Sequence, residues 1–117
     1  EVARALKRPF LFAERQEGAF TLRRGFEIRA DTPVVVVEDV FTTGKSTREV
    51  LEMLRSMGAR TVAAASIVNR GLPAGALPVP SCSLLELQVP AWPESECPLC
   101  ENGVPISTPG SRYQRAV

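Results

Sequence analysis

The sequence contains no histidine and only two lysines, Lys7 and Lys45. Its cysteines number three, and it has one tryptophan and one tyrosine in 117 residues. Without histidine, three cysteines cannot complete the four-ligand set of a structural zinc site. An odd cysteine count argues against a disulfide framework, and a reducing cytoplasm is the expected compartment. No apolar run approaches the ~20 residues of a membrane-spanning helix. No charged, apolar and small-residue leader is visible, so secretion is not expected. The net charge of +1 is far from the concentrated basic surface that nonspecific nucleic-acid binding needs. What is present is ordinary for a soluble globular protein: 44% apolar and 23% charged residues, with a length that suggests one domain over 1–117. Glu1 to Lys7 already has helical character with no capping residue before it. The expectation is a chain that starts inside the helix of a larger protein, with an N-terminal part of the fold missing.

Local patterning predicts an α/β fold with a parallel sheet flanked by helices. Glu1 to Arg8 is expected to be helical and Pro9 to stop it. Phe10 to Ala13 has strand length, Glu14 to Gly18 is turn-like, and Ala19 to Ile28 suggests two short strands around Arg23-Arg24-Gly25. Val34 to Val37 is apolar at every position, the pattern of a central strand of a parallel sheet, buried on both faces. A helix follows from Ser46 to Met57, with Val50, Leu51, Leu54 and Met57 on its core side. Gly58 is placed to cap it in the left-handed conformation. Thr61 to Val68 is a second strand, which makes a strand–helix–strand crossover. Cys82 to Val89 is a candidate further strand, and 90–117 is an irregular Pro-, Gly- and Ser-rich tail. Cys97 and Cys100 form a C-x-x-C pair. Redox use needs such a pair near a helix start, and the surrounding prolines favour structural or surface thiols. Trp92, between Pro90 and Pro93, suits a packing anchor.

The chemistry concentrates in Val34-Val35-Val36-Val37-Glu38-Asp39-Val40-Phe41-Thr42-Thr43-Gly44-Lys45-Ser46-Thr47. Ligands of open α/β sheets sit beyond the carboxyl ends of strands, where Glu38 and Asp39 fall. Consecutive strand residues point to opposite faces, so the two carboxylates need not share a ligand atom. After them come the hydroxyls of Thr42, Thr43, Ser46 and Thr47, with Gly44 to let backbone N–H groups turn inward. The helix start adds unpaired amide donors and a positive dipole end, a ready phosphate site. A simple N-cap by Ser46 or Thr43 explains one hydroxyl, not the cluster beside two carboxylates. Gly44-Lys45-Ser46 also spells the end of a nucleotide P-loop. That motif needs a glycine five places earlier, and the residue there is Asp39.

The window from Val34 to Thr47 resembles the phosphoribosyl-pyrophosphate signature of type I phosphoribosyltransferases. Further segments resemble the orotate branch of that family: Leu11-Phe12-Ala13-Glu14-Arg15, Thr21-Leu22-Arg23-Arg24-Gly25-Phe26, Val68-Asn69-Arg70-Gly71, Cys97-Pro98-Leu99-Cys100 and Pro109-Gly110-Ser111-Arg112. The resemblance implies transfer of a phosphoribosyl group to orotate in pyrimidine (UMP) biosynthesis, with Mg2+ as cofactor, in a cytoplasmic homodimer. It implies that Glu38 and Asp39 hold the ribose hydroxyls, and that Glu38 through Ser46, with Val40, Phe41, Thr42, Thr43, Gly44 and Lys45, forms the phosphoribosyl pyrophosphate site. Thr42 and Arg70 would meet orotate; a planar guanidinium suits a carboxylate. Arg15 falls where the family begins a mobile pyrophosphate loop. The lysines and histidine of long-loop relatives are absent, so a catalytic Arg15 would act by charge, since arginine holds its proton at neutral pH. A solvated loop is the other reading of Arg70; Arg23 and Arg24 would lie near the far end of the pyrophosphate loop, with a solvated hairpin turn as their other reading. No residue is assigned as a protein ligand to a metal. Two other functions share the same features: a regulator that senses phosphoribosyl pyrophosphate without catalysis, and transfer to a purine base.

Overall fold

The computed structural model describes residues 1–23 and 25–105. Arg24 and the Pro109-Gly110-Ser111-Arg112 segment lie outside the described residues. Helix α1 (Val2–Leu6) ends at Lys7, which takes a left-handed φ of 52° two residues before Pro9. Strands β1 (Ala13–Gln16) and β2 (Ala19–Leu22) pair antiparallel as a hairpin. The strand expected at Phe10–Ala13 runs Ala13–Gln16 instead. The reversal at Glu17-Gly18, both with positive φ (48° and 90°), falls inside the turn-like segment expected at Glu14–Gly18, and the described part of 19–28 holds one strand, not two. Two positive-φ residues match the right-handed twist of a hairpin, which explains why this pair makes the turn.

The site is built on a second sheet. Strands β3 (Pro33–Phe41), β4 (Arg60–Asn69) and β5 (Ser81–Glu86) run parallel in that order. Helix α2 (Lys45–Ser56) links β3 to β4. It buries Thr47, Val50, Leu51 and Leu54. Met57 is not on the buried stripe: it is the C-cap residue and is exposed. Gly58 behaves as the sequence predicts. With φ 77°, it lets its own N–H reach Arg55 O at 2.9 Å and the Ala59 N–H reach Leu54 O at 3.0 Å. These two bonds close the helix in a Schellman motif and turn the chain into β4.

The core gathers Val36, Phe41, Val50, Leu51, Leu54, Ala64, Leu72 and Leu77. Each large aliphatic side chain here contributes roughly 1.5–3 kcal/mol of burial. Ala64 is fully buried where β4 meets the helix layer. Its short side chain leaves room for close packing. Ser66 is also buried, and its hydroxyl is satisfied by Val68 O at 3.0 Å and the Ser83 hydroxyl at 2.7 Å.

Two expectations about β3 are corrected. Its valines are not buried on both faces: Val35 is 50% and Val37 47% exposed, and Ile67 and Leu84 on the same face by strand alternation are also exposed. Among the described residues β3 is the edge strand of its sheet, not a central one; helix α2 covers the face that carries Val36 and Ala64, and the opposite face is exposed. Nor does β3 end at Val37. It continues through Glu38, Asp39 and Val40 to Phe41. Pairing with Ser66, Val68 and Asn69 of β4 carries the strand four residues further. After Glu86 the chain is extended, then forms a single 3-10 turn (Glu94–Glu96) and a short helix α3 (Pro98–Glu101). The expected irregular tail therefore contains two short helical turns. Among the described residues no helix is long and apolar enough to cross a membrane.

Candidate functional site

A cavity of ≈ 180 Å³ opens beside the last turn of β3 and the start of α2. It is lined by Glu38, Asp39, Val40 and every residue from Thr42 to Thr47. Alternation along β3 sends Glu38 to the covered face and Asp39 to the other. Register supports this: Glu38 lies opposite Ser66 of β4, a buried residue. Glu38 is half-buried, and loss of hydration raises its pKa above the usual carboxylate value. The neighbouring Asp39 charge raises it further. Asp39 is exposed and accepts the Val40 N–H at 2.7 Å. One carboxylate is thus held in a drier setting than its neighbour.

Gly44 governs the loop. It is the N-cap residue of α2 with a left-handed φ of 71°. A Cβ there would stand 2.7 Å from Leu72 Cδ1 and 3.2 Å from Leu77 Cδ2. No other residue type fits without moving the core. Neither Ser46 nor Thr43 caps the helix in the usual way. The Thr43 hydroxyl accepts the Lys45 N–H at 3.3 Å, a long contact, and Ser46 is exposed in the first turn. The first-turn N–H groups of Ser46 and Thr47 have no intrahelical acceptor, as at any helix start. Thr47 itself is only 3% exposed. It is a further lining residue that belongs with the loop.

Arg48 was not singled out from the sequence, yet it fixes the loop from outside. Its guanidinium donates to Thr43 O at 2.7 Å and to Ala76 O at 3.0 Å. It therefore ties the 42–44 loop to the 70–77 segment. Asn69 plays the matching part on β4. Its Oδ1 accepts the Gly71 N–H at 3.0 Å and the Leu72 N–H at 2.7 Å, and its Nδ2 donates to Leu72 O at 2.9 Å. An asparagine ahead of Arg-Gly is a turn former, so Asn69 had a readable signal. Arg48 had none, because its acceptors are backbone atoms from distant parts of the chain.

The predicted residues separate into four groups. Glu38, Asp39, Val40, Thr42, Thr43, Gly44, Lys45 and Ser46 surround one cavity. Phe41 is 1% exposed and packs in the core beneath them. Arg70 stands on the same sheet edge: its N–H donates to Phe41 O at 2.7 Å. Arg15 is apart from the cavity lining. Its guanidinium binds the Glu49 carboxylate of α2 and the Gly18 carbonyl. It also lies 4.4 Å over the Phe20 ring, in cation–π geometry. Among the described residues no group of three or more His, Cys, Asp or Glu side chains converges as a metal site.

Comparison with known proteins gives a consistent picture. Orotate phosphoribosyltransferase of Carboxydothermus hydrogenoformans is 51% identical over 112 residues, 96% of this chain and 59% of that protein. The enzyme of the same name from Thermotoga maritima is 48% identical over 111 residues, 95% of this chain and 59% of the relative. The chain thus spans about three-fifths of the length of these relatives. The crystal structure of orotate phosphoribosyltransferase from Aeropyrum pernix superimposes with a TM-score of 0.61 at 30% identity, covering 74% of this chain and 52% of that one. The model of the phosphoribosyl transferase domain matches residues 4–94, so the acidic strand end, its loop and the β4 edge all fall inside the match, and the chain belongs to the phosphoribosyltransferase family.

Proposed function

We propose that this chain carries the phosphoribosyl-pyrophosphate half of an orotate phosphoribosyltransferase, with Glu38 and Asp39 on the ribose and the 42–47 loop on the 5′-phosphate. The observation that supports this most is the single cavity formed by two carboxylates, four hydroxyl residues and the start of α2. Carboxylates accept hydrogen bonds from ribose hydroxyls, and each such charge-assisted bond is worth roughly 1.5–3 kcal/mol. The first-turn N–H groups and the hydroxyls of Thr42, Thr43, Ser46 and Thr47 suit the oxygens of a phosphate. Similarity to proteins named orotate phosphoribosyltransferase supports orotate as the acceptor.

In the reaction the C1′–oxygen bond to diphosphate breaks and the diphosphate leaves with the electron pair. A ring nitrogen of orotate supplies the pair for the new C1′–nitrogen bond, and its proton passes to water or to the departing diphosphate. The products are orotidine 5′-phosphate and diphosphate. Positive charge develops on the ribose between these events, and the Glu38 and Asp39 carboxylates stand beside it. Positioning and charge stabilisation then account for most of the rate. Arg70, at the β4 edge, would meet the orotate carboxylate, with Thr42 beside it. Arg15 would supply positive charge to the leaving diphosphate only after exchanging Glu49 for it.

Mg2+ fits the donor chemistry here in a limited way. Glu38 and Asp39 are hard oxygen donors of the kind it takes, but among the described residues no third acidic side chain joins them. The ion would be held chiefly by substrate oxygens and water, and when bound it would neutralise diphosphate charge. A cytoplasmic homodimer with sites completed across subunits belongs to the same proposal.

The test is pyrophosphate release with phosphoribosyl pyrophosphate and orotate, with adenine, guanine and uracil as controls. Orotate-dependent release supports the proposal. Release with a purine base transfers the assignment to that base. Binding of phosphoribosyl pyrophosphate without turnover on any base makes the protein a sensor.

A further inference from the structure

The C-x-x-C pair lies outside the site and has no part in the reaction above. Its setting differs from the sequence reading, in which the flanking prolines spoke against a helix start. Pro98 occupies the first turn of α3, where a missing N–H costs nothing, and Cys97 is the N-cap residue with extended φ and ψ of −82° and 116°. The helix puts Cys100 one turn on, over Cys97. Residues three apart on a helix have Cβ atoms roughly 5–6 Å apart, and a disulfide needs about 3.5–4.5 Å. The remaining gap is small, and the Cys97 and Cys100 side chains are near enough to interact.

Three further observations bear on reactivity. Both sulfurs are partly accessible to solvent. The helix has no buried residue and packs chiefly on the 3-10 turn before it, so it can tighten without disturbing the core. The Cys100 N–H, the Cys100 thiol and the Leu99 N–H all face the Cys97 sulfur and hold its pKa below the usual thiol value. None of these forms a short capping bond, but together they favour the thiolate. A metal is a poorer match, since no third ligand converges among the described residues.

We propose that Cys97 and Cys100 are a redox-active dithiol, with Cys97 as attacking sulfur, that closes to an intramolecular disulfide on reaction with a low-molecular-weight disulfide of the glutathione class. The Cys97 thiolate attacks one sulfur of the oxidant and expels one glutathione thiolate, leaving a mixed disulfide. Cys100 gives its proton to solvent and attacks the Cys97 sulfur, and the second glutathione thiolate leaves. Two electrons pass from the protein pair to the oxidant, and the new S–S bond locks the α3 turn.

The experiment equilibrates the chain in glutathione buffers of increasing oxidised fraction, quenches in acid, alkylates and maps peptides by mass. The expected result is loss of both alkyl groups from the Cys97–Cys100 peptide, with the mass of a closed disulfide, while Cys82 remains alkylated or becomes glutathionylated. In Cys100→Ser, glutathione is expected to stay on Cys97. Circular dichroism of that variant should match the parent, since α3 is outside the core. The proposal is overturned if both thiols stay alkylated where Cys82 has become glutathionylated. It is equally overturned by a stable glutathione adduct on Cys97 in the parent, by a disulfide to Cys82, or by zinc retained between two chains.

Discussion

Several turns in this protein use a glycine with positive φ, and two of them, at Gly18 and Gly44, answer to different constraints. At Glu17-Gly18 the glycine closes a hairpin, and a Cβ would meet nothing within 4 Å. At Gly44 it shapes the proposed phosphate loop, and a Cβ would meet Leu72 and Leu77. The first turn is set by backbone conformation alone. The second is set by conformation and by the core pressing from behind. A loop meant to hold an anion must keep its amides fixed, and contact with the core does that where intrinsic turn preference cannot.

The comparison is broken most directly by Gly44→Ala. Left-handed strain of about 1 kcal/mol adds to overpacking of about 1–3 kcal/mol, so chemical denaturation should show a loss of about 2–4 kcal/mol. If Leu72 is the obstacle, a double-mutant cycle of Gly44→Ala with Leu72→Ala should show a coupling that relieves part of this loss. Independent effects would mean that the glycine is needed for φ alone.

Next in size is the effect of neutralising the acids. Glu38→Gln with Asp39→Asn removes two charged acceptors, and phosphoribosyl pyrophosphate affinity by calorimetry should fall by at least about tenfold, from roughly 1.5–3 kcal/mol per bond. Unchanged affinity would falsify the ribose assignment while leaving the fold untouched.

Gly18→Ala sharpens the contrast from the other side. With open space around the Cβ, the expected cost is about 1 kcal/mol, and affinity for phosphoribosyl pyrophosphate should be unaltered. A loss as large as that of Gly44→Ala would erase the distinction between the two turns.

The smallest effect concerns pH. The folded protein raises the Glu38 pKa through burial and then through Asp39, so the native state binds this proton more tightly than the unfolded chain. That contribution to stability is complete below the unfolded pKa and is lost as pH rises through the raised folded value. Glu38→Gln should flatten the denaturation midpoint over that window. An equal slope in both proteins would place the titration elsewhere.

Much of this architecture is present in local patterning. The apolar run at Val34–Val37, the Val50-Leu51-Leu54 stripe and Gly58 gave β3, α2 and its Schellman end, because each depends on neighbours in sequence. The candidate cavity was legible for the same reason: Glu38 to Thr47 is one continuous segment. Features set at a distance were not. The extension of β3 to Phe41 depends on pairing with β4, and the grip of Arg48 on Thr43 O and Ala76 O depends on where the 70–77 segment returns. Met57 matched the helical period but fell on the cap. The prolines around Cys97 suggested an extended segment, yet Pro98 is suited to start a helix.

The hydrogen bond from the Arg70 N–H to Phe41 O deserves a last consequence. It clamps the ends of two neighbouring parallel strands at a separation of about 4.8 Å. The residue proposed to read the acceptor and the segment proposed to seat the sugar are thereby mounted on one rigid crosspiece. On the proposed function such a mount would act as a ruler: an acceptor would be selected by the span between its anchoring group and its nucleophilic nitrogen, as well as by the charge of the group that anchors it.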